Sequence, residues 1–496
     1  MNEITQAVGI LQTEVSAPFE VTGQEDLKGT GFYPSTHALW HLKALGVLDD
    51  LMTCSSAVWS NLEKSPGAPV RVAIIDTPVA WTHPNLAGVI DRALMRDFSV
   101  HDDGAFLVPD LAETDNIAAR DALVQITIEI AASSRGSADD AAIFDLTRAL
   151  ALRIVQEDTD RKAGRPSARP PCDPVIYGAH GTALAGLIGA RPGMVDLVRP
   201  ALVLDSLAPA ETKRVPLPYA GINPFCTIIP ISTTAAPDPA MVTSALIYAG
   251  MVKADVVVIA AAWDDVVRNA EGDDAIGPEW DIATQALAIL ARNAIVLCAA
   301  GNSGHQALAY PASLVPTNNG AYAVTACTAQ GSGLTYAPAL TGANVVQSLS
   351  AEAPHYDRDG ALVDPWAERD PVVGYAGDDP FLDKTLVREI TVPSRLISLD
   401  CPGPYGYNPS PFRYTPEPGK PYLEIHSLFC EFSGTSAATA VAAGLVSLAL
   451  QVRRAAEAGG STGDGTIAKP IQTGPQSGTQ VFDLEGAMAL VASRKP

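Results

Sequence analysis

Five short apolar runs constrain the fold of this chain more than any other feature: VRVAIID (70–76), CTIIPI (226–231), ADVVVIAAA (254–262), AIVLCAA (294–300) and AYAVTAC (321–327). Each has the length of a strand and is apolar at consecutive positions rather than alternate ones. Such a strand must be covered on both faces, and a mainly parallel sheet flanked by helices provides that cover. Between the runs, MVTSALIYAGMV and IATQALAILARN read as helices. The alternation predicts an α/β fold with helical layers on either side of a central sheet.

Two stretches break the rhythm. Residues 104–175 read as an inserted pair of helices, NIAARDALVQITIEIAA and ADDAAIFDLTRALALRIVQE, followed by a loop rich in Pro and Arg. The apolar stripe Ile143, Leu146, Leu150 and Ile154 must bury against its partner helix or the domain. Residues 350–430 carry many Pro, Asp and Tyr with little periodicity and read as a long ordered loop region. GGSTGDGTIAKPIQTGPQSGTQ (459–480) reads as a flexible loop ahead of a last short helix, LEGAMALVA.

Composition narrows the class. A chain of 496 residues that is 47% hydrophobic buries a sizeable core, and no apolar run reads as a clean membrane span. The first residues show neither a basic nor a sustained apolar region, so no secretory signal is read there. A net charge of −22 disfavours nucleic acid and anionic membranes as partners. Seven cysteines, with no CxxC and irregular spacing, read as buried free thiols in a reducing cytoplasm rather than as a disulfide frame or zinc site.

The polar residues at the ends of the runs carry the chemistry. Asp76 ends the first run, His180 opens a helix of small residues in YGAHGTALAGLIGA, and Asn302 follows the strand of LCAAGNSG. Ser436 stands at the mouth of another small-residue helix in FSGTSAATAVAAG (432–444). Singly, each has a dull explanation: a turn cap, a core histidine, a left-handed turn residue and an N-cap. Together, in the order Asp, His, Asn, Ser, they resemble the subtilisin-like serine peptidases, or subtilases. DTPVAWTHPNL is similar to that family's Asp motif, HGTALAGLIGA to its His motif and GTSAATAVAAG to its Ser motif. AAGNSG with YPAS (310–313) resembles its oxyanion segment.

The resemblance implies a subtilisin-like three-layer fold from about residue 59 to 496, preceded by an N-terminal extension (1–58) and interrupted at about 104–175 and 350–430. It implies a serine endopeptidase in which His180 is the general base for Ser436 and Asp76 orients the imidazole. Asn302 and the Ser436 backbone N–H would stabilise the oxyanion. Ala260, Ala261 and Ala262 occupy the segment whose backbone pairs with substrate, although the family normally carries a Ser-Leu-Gly-like sequence there. Other departures are Ala440 and Val441, where the Ser motif usually continues Pro-His, and Ala183, where the His motif carries a second His.

No cofactor is required for this chemistry. Calcium is common in the family, and acidic loops such as HDDGAFLVPD (101–110) could supply oxygen ligands. The expected partners are a protein or peptide substrate and a regulatory protein, with no metal among the site residues. The missing signal implies a cytoplasmic, regulated enzyme. The helical insertion leaves soon after Asp76 and returns just before His180; it reads either as surface decoration or, at 115–157, as a docking surface or a lid that would open at modest cost. The competing reading is a subtilisin-fold binding module with weak or no turnover, for which the AAAW segment is the argument. An α/β-hydrolase esterase would need G-x-S-x-G and the order Ser, Asp, His, which this chain lacks.

Overall fold

The computed structural model describes residues 39–50, 55–133, 141–165, 178–198, 212–217, 219–261, 266–268, 274–276, 280–304, 308–317, 321–340, 342, 344–351, 396–410, 416–417, 419–423, 425–458 and 481–494. Two short helices come first, α1 (Trp40–Ala44) and α2 (Ala57–Lys64). Leu42, Leu45, Leu48 and Trp59 bury them in the same core as the rest of the chain. The next elements are β1 (Arg71–Asp76), β2 (Arg96–Asp97), β3 (Ala105–Phe106), α3 (Ile117–Ala132), α4 (Ala141–Lys162) and α5 (Ala179–Gly189). They are followed by the hairpin β4 (Gly193–Val198) and β5 (Thr212–Leu217), then β6 (Thr227–Ser232), α6 (Pro239–Met251) and β7 (Val256–Ile259). After the small hairpin β8 (Val266–Arg268) and β9 (Asp274–Ile276) come α7 (Asp281–Asn293), β10 (Ile295–Ala299), β11 (Ala321–Cys327) and β12 (Val345–Leu349). The chain closes with the hairpin β13 (Ile397–Leu399) and β14 (Phe429–Glu431), the long α8 (Gly434–Ala458) and α9 (Leu484–Ser493).

Among the described residues, eight strands form one sheet in the order β12-β11-β10-β7-β1-β6-β2-β3, parallel except for β2–β3. β1 lies between β6 and β7, with Asp76 level with Ser232. The apolar runs behave as two-faced strands. Val72 and Ile74 enter the core shared with α5 and α8, whereas Ala73 and Ile75 enter the core shared with α6 and α7. The α5 crossover carries the chain from β1 to β6, and α6 on the opposite face brings it back past β1 to β7. The direction of winding therefore reverses beside β1, which opens a crevice at the C-terminal ends of the strands.

The helical insertion is part of the body. Leu123, Val124, Ile143, Leu150 and Ile154 join the core beneath α6 and α7, while Leu146 points outward at 37% exposure, against the expected stripe. The buried Arg96 guanidinium binds both carboxylate oxygens of Glu157 on α4 (3.0 and 3.2 Å). Buried Arg120 of α3 lies over the Phe106 ring and donates to the carbonyls of Ala93 and Val108. This arrangement does not fit an independently opening lid, because opening would break these hydrogen bonds and uncover the apolar faces of α6 and α7.

α8 is the buried spine of the molecule. By length and composition it matches a membrane span, yet 94% of its apolar window is buried inside the protein. Contrary to the sequence expectation, this one run is long and apolar enough to span a membrane, but the fold uses it as a core helix. Most of the predicted loop region at 350–430, namely residues 352–395, and the loop at 459–480 lie outside the described residues. The five described cysteines, Cys226, Cys298, Cys327, Cys401 and Cys430, are free and buried, as the spacing predicted for them; Cys54 and Cys172 lie outside the described set.

Candidate active site

Asp76 ends β1 in the crevice, and its buried carboxylate is fully oriented by one oxygen. Oδ1 accepts from the Thr77 N–H (2.7 Å), the Thr77 hydroxyl (3.1 Å) and His180 Nδ1–H (2.7 Å). His180 is the second residue of α5, and the residues after it explain how the helix reaches the aspartate. Gly181 donates its N–H to Thr77 Oγ1 (3.1 Å), and any Cβ there would collide with the Thr77 carbonyl. Thr182 Oγ1 accepts from the Ala80 N–H (2.8 Å). The triplet His-Gly-Thr thus staples the start of α5 to the loop after β1.

With Nδ1–H committed to Asp76, the Nε2 lone pair of His180 is the free basic position. The imidazole is 25% exposed and meets the Phe432 ring edge-on, with centroids 5.3 Å apart. Burial pulls its pKa down, but the Asp76 charge and hydrogen bond outweigh burial and hold it above the ordinary histidine value.

Ser436 is the third residue of α8, among the first N–H groups that no preceding helical turn can satisfy. Its hydroxyl donates to the Ala260 carbonyl (2.8 Å), at the end of β7. Asn302, just past β10, is set by the residue before the serine. Its Oδ1 accepts the Thr435 N–H (2.8 Å) and the Thr435 hydroxyl (3.1 Å), and Thr435 Oγ1 in turn accepts the Gly301 N–H (3.1 Å). With Oδ1 occupied by two donors, the amide Nδ2–H group is turned to the other side. Gly434 has φ +83°, and a Cβ on it would stand 3.2 Å from Asn302 Nδ2, so the turn into α8 needs glycine twice over.

The four predicted polar residues thus lie on two strand ends and two helix mouths of one crevice. Ala260 joins them through its carbonyl, and Ala261 follows it, half-buried. Ala262 lies outside the described residues. Three supporting residues went unread in the sequence: Thr77, Thr435 and Phe432. Thr435 had a signal, since it sits inside the quoted GTS motif beside the serine.

The acidic loop at 101–110 does not fit calcium. Arg96 donates to the carbonyls of Asp103 (2.5 Å) and Gly104 (3.1 Å), and Arg153 stands 3.9 Å from the Asp103 carboxylate. Two guanidinium groups fill the place where a cation would draw on those oxygens. Another convergence of oxygens is filled by an amide. Asn85 Nδ2 lies 2.7 Å from the Arg191 carbonyl and 3.1 Å from each of those of Leu217 and Tyr219.

A family model described as the subtilase family matches residues 67–461. Among curated proteins no match is found. Solved structures that this chain resembles include the nisin leader peptidase NisP from Lactococcus lactis, 11% identical, covering 91% of this chain and 95% of that one with a TM-score of 0.46. The epidermin leader peptide processing serine protease EpiP from Staphylococcus aureus is 13% identical, with 94% and 85% covered and a TM-score of 0.45. The patellamide maturation protease PatG is 14% identical, with 80% of each chain covered and a TM-score of 0.35.

Proposed function

This chain belongs to the subtilase family and is a serine endopeptidase, and we propose that Ser436 is its nucleophile, His180 its general base and Asp76 the orienting carboxylate. The observation that carries this reading is the 2.7 Å hydrogen bond between Asp76 and His180 Nδ1, which joins residues 104 apart in sequence. It commits the imidazole to the tautomer whose Nε2 can take a proton.

In this reading the Ser436 hydroxyl turns from the Ala260 carbonyl to His180 Nε2 as substrate enters. Oγ attacks the peptide carbonyl carbon while its proton passes to Nε2, and Asp76 stabilises the imidazolium. The oxyanion accepts from Asn302 Nδ2–H and the Ser436 backbone N–H, both held before charge develops. As the tetrahedral intermediate collapses, the C–N bond breaks and Nε2–H protonates the leaving amine. Water then enters by the reverse sequence, releasing the acid from the acyl-enzyme. The backbone of Ala260 and Ala261 pairs with the acyl side of the substrate.

A fluorophosphonate probe tests the assignment. Label should appear on Ser436 of the native protein and vanish, with peptide hydrolysis, in Ser436→Ala. A Ser436→Ala protein that still hydrolyses peptide after removal of contaminating protease defeats it.

A further inference from the structure

Beyond the imidazole the crevice has a wall that the proposed triad does not use. Phe432, four residues ahead of Ser436, is buried against the His180 ring, and Tyr407 lies against Phe432 with centroids 6.2 Å apart. Tyr407 is 45% exposed, and Tyr405, two residues before it, is 47% exposed. Both stand on the loop 400–410 at the tip of the β13–β14 hairpin, and that loop is tightly built. Buried Asp400 accepts the N–H groups of Cys401 (2.8 Å) and Tyr407 (3.0 Å) on Oδ1, and that of Asn408 (2.6 Å) on Oδ2. Ser427 Oγ accepts the Gly403 N–H (2.9 Å), and the Asn408 side-chain amide donates to the Phe429 carbonyl (3.1 Å). The hairpin tip is anchored again where Tyr422 exchanges backbone hydrogen bonds with β4.

A buried carboxylate thus holds the backbone that carries two exposed tyrosines, and Tyr407 is joined to the His180 imidazole through the Phe432 ring. Exposed aromatic surface on a rigid support beside a reacting group has the form of a binding wall, because ring area is hidden there without loss of loop entropy. Its chemistry also selects. Residues 401–410, CPGPYGYNPS, carry no charged side chain, and Asp400 is turned inward onto N–H groups. The small side chains of Ala260 and Ala261 offer no comparable contact.

We propose that Tyr407, with Tyr405 beside it, is a specificity determinant that receives a large apolar or aromatic side chain next to the bond being cut. The proposal rests on the assignment of His180 and Ser436 above. It is tested with peptides varied one position at a time among Phe, Leu, Gly and Lys on both sides of the scissile bond, using the native enzyme, Tyr407→Ala, Tyr407→Phe and Tyr405→Ala. At one flanking position the native enzyme should favour Phe over Gly in kcat/KM by on the order of tenfold. Tyr407→Ala should collapse that ratio, mainly through KM, while Tyr407→Phe keeps it, because the ring and not the hydroxyl makes the contact. Tyr405→Ala should reduce the ratio in part, and it serves as the readout if Tyr407→Ala proves unstable to heat. A Phe-to-Gly ratio unchanged at every position in folded, active Tyr407→Ala and Tyr405→Ala overturns the proposal. Failure of the underlying assignment looks different: Ser436→Ala would then cleave like the native enzyme.

Discussion

Acid should weaken this fold through one histidine outside the proposed triad. His83 is buried, and each ring nitrogen is already committed: Nε2–H donates to the Leu428 carbonyl (3.0 Å), and Nδ1 accepts the Asn85 N–H (3.1 Å). A proton on Nδ1 would face a donor, and the cation would sit without water beside the Phe429 ring. Burial is the larger cause and pushes the pKa from 6.5 down to about 4, against the opposing pull of the Leu428 carbonyl. The unfolded chain takes up this proton near the ordinary value and the native chain does not, so stability is complete above the unfolded pKa and drains as pH falls toward the folded one. A shift of this size corresponds to about 3 kcal/mol in all, most of which should be lost by about pH 4.5. Urea unfolding of Ser436→Ala protein, which removes self-digestion, and of the same protein carrying His83→Gln, would be measured at about pH 7 and about pH 4.5. Carboxylates common to both proteins cancel in the difference. The stability gap between the two should narrow by about 2 to 3 kcal/mol on acidification. A gap that stays constant within about 0.5 kcal/mol refutes the argument that His83 is held neutral.

Further outcomes follow from the site and its supports. Asn302→Ala should lower kcat by roughly a hundred- to a thousandfold with KM little changed, a magnitude known from an oxyanion donor of this same family. Thr435→Val should lower kcat by about tenfold by releasing that amide, and Thr435→Ser should restore most of it. Because Asp76 raises the His180 pKa, the acid limb of kcat should lie above that of an ordinary histidine; Asp76→Asn should shift it to lower pH, leaving burial dominant, and cost on the order of 10⁴ in kcat. Excising the α3–α4 pair should yield insoluble protein rather than a faster protease, and recovery of a folded, more active product would restore the lid. In protein unfolded anaerobically without reductant, all seven cysteines should titrate as thiols, and two or more stable disulfides would contradict the reducing compartment proposed for it.

The parts of the fold legible in the sequence are those whose burial is two-sided. β1, β6, β7, β10 and β11 announce themselves because almost all of their residues are buried, on both faces of the sheet, so the apolar run and the strand nearly coincide. The run at 254–262 overreaches: β7 stops at Ile259, because the following residues end the ladder and turn toward the serine. The β13–β14 hairpin could not be read, since each strand is three residues long and the register is fixed at a distance, by packing on α5 and by Asp400. Leu146 shows the limit of periodicity in the other direction. An apolar residue at helical spacing states which stripe it belongs to, not how wide a stripe the neighbours will cover.

The same division runs through the site. Asp76, His180, Asn302 and Ser436 were legible because each sits at an element end beside small residues whose presence has few other uses. The groups that aim them were not, since a threonine or phenylalanine is unremarkable until its partner is known. Thr435 illustrates the difference. In sequence it is one more small polar residue at a helix start; in the fold it is the acceptor for Gly301 and a double donor to Asn302, from strand and helix ends 134 residues apart. That arrangement couples the proposed nucleophile and the proposed oxyanion donor to a single residue. If it is a working unit, Thr435→Val and Asn302→Ala should be strongly non-additive in kcat, because removing the amide leaves the threonine nothing to aim. Additive losses would mean that Thr435 acts on the serine through the helix mouth instead.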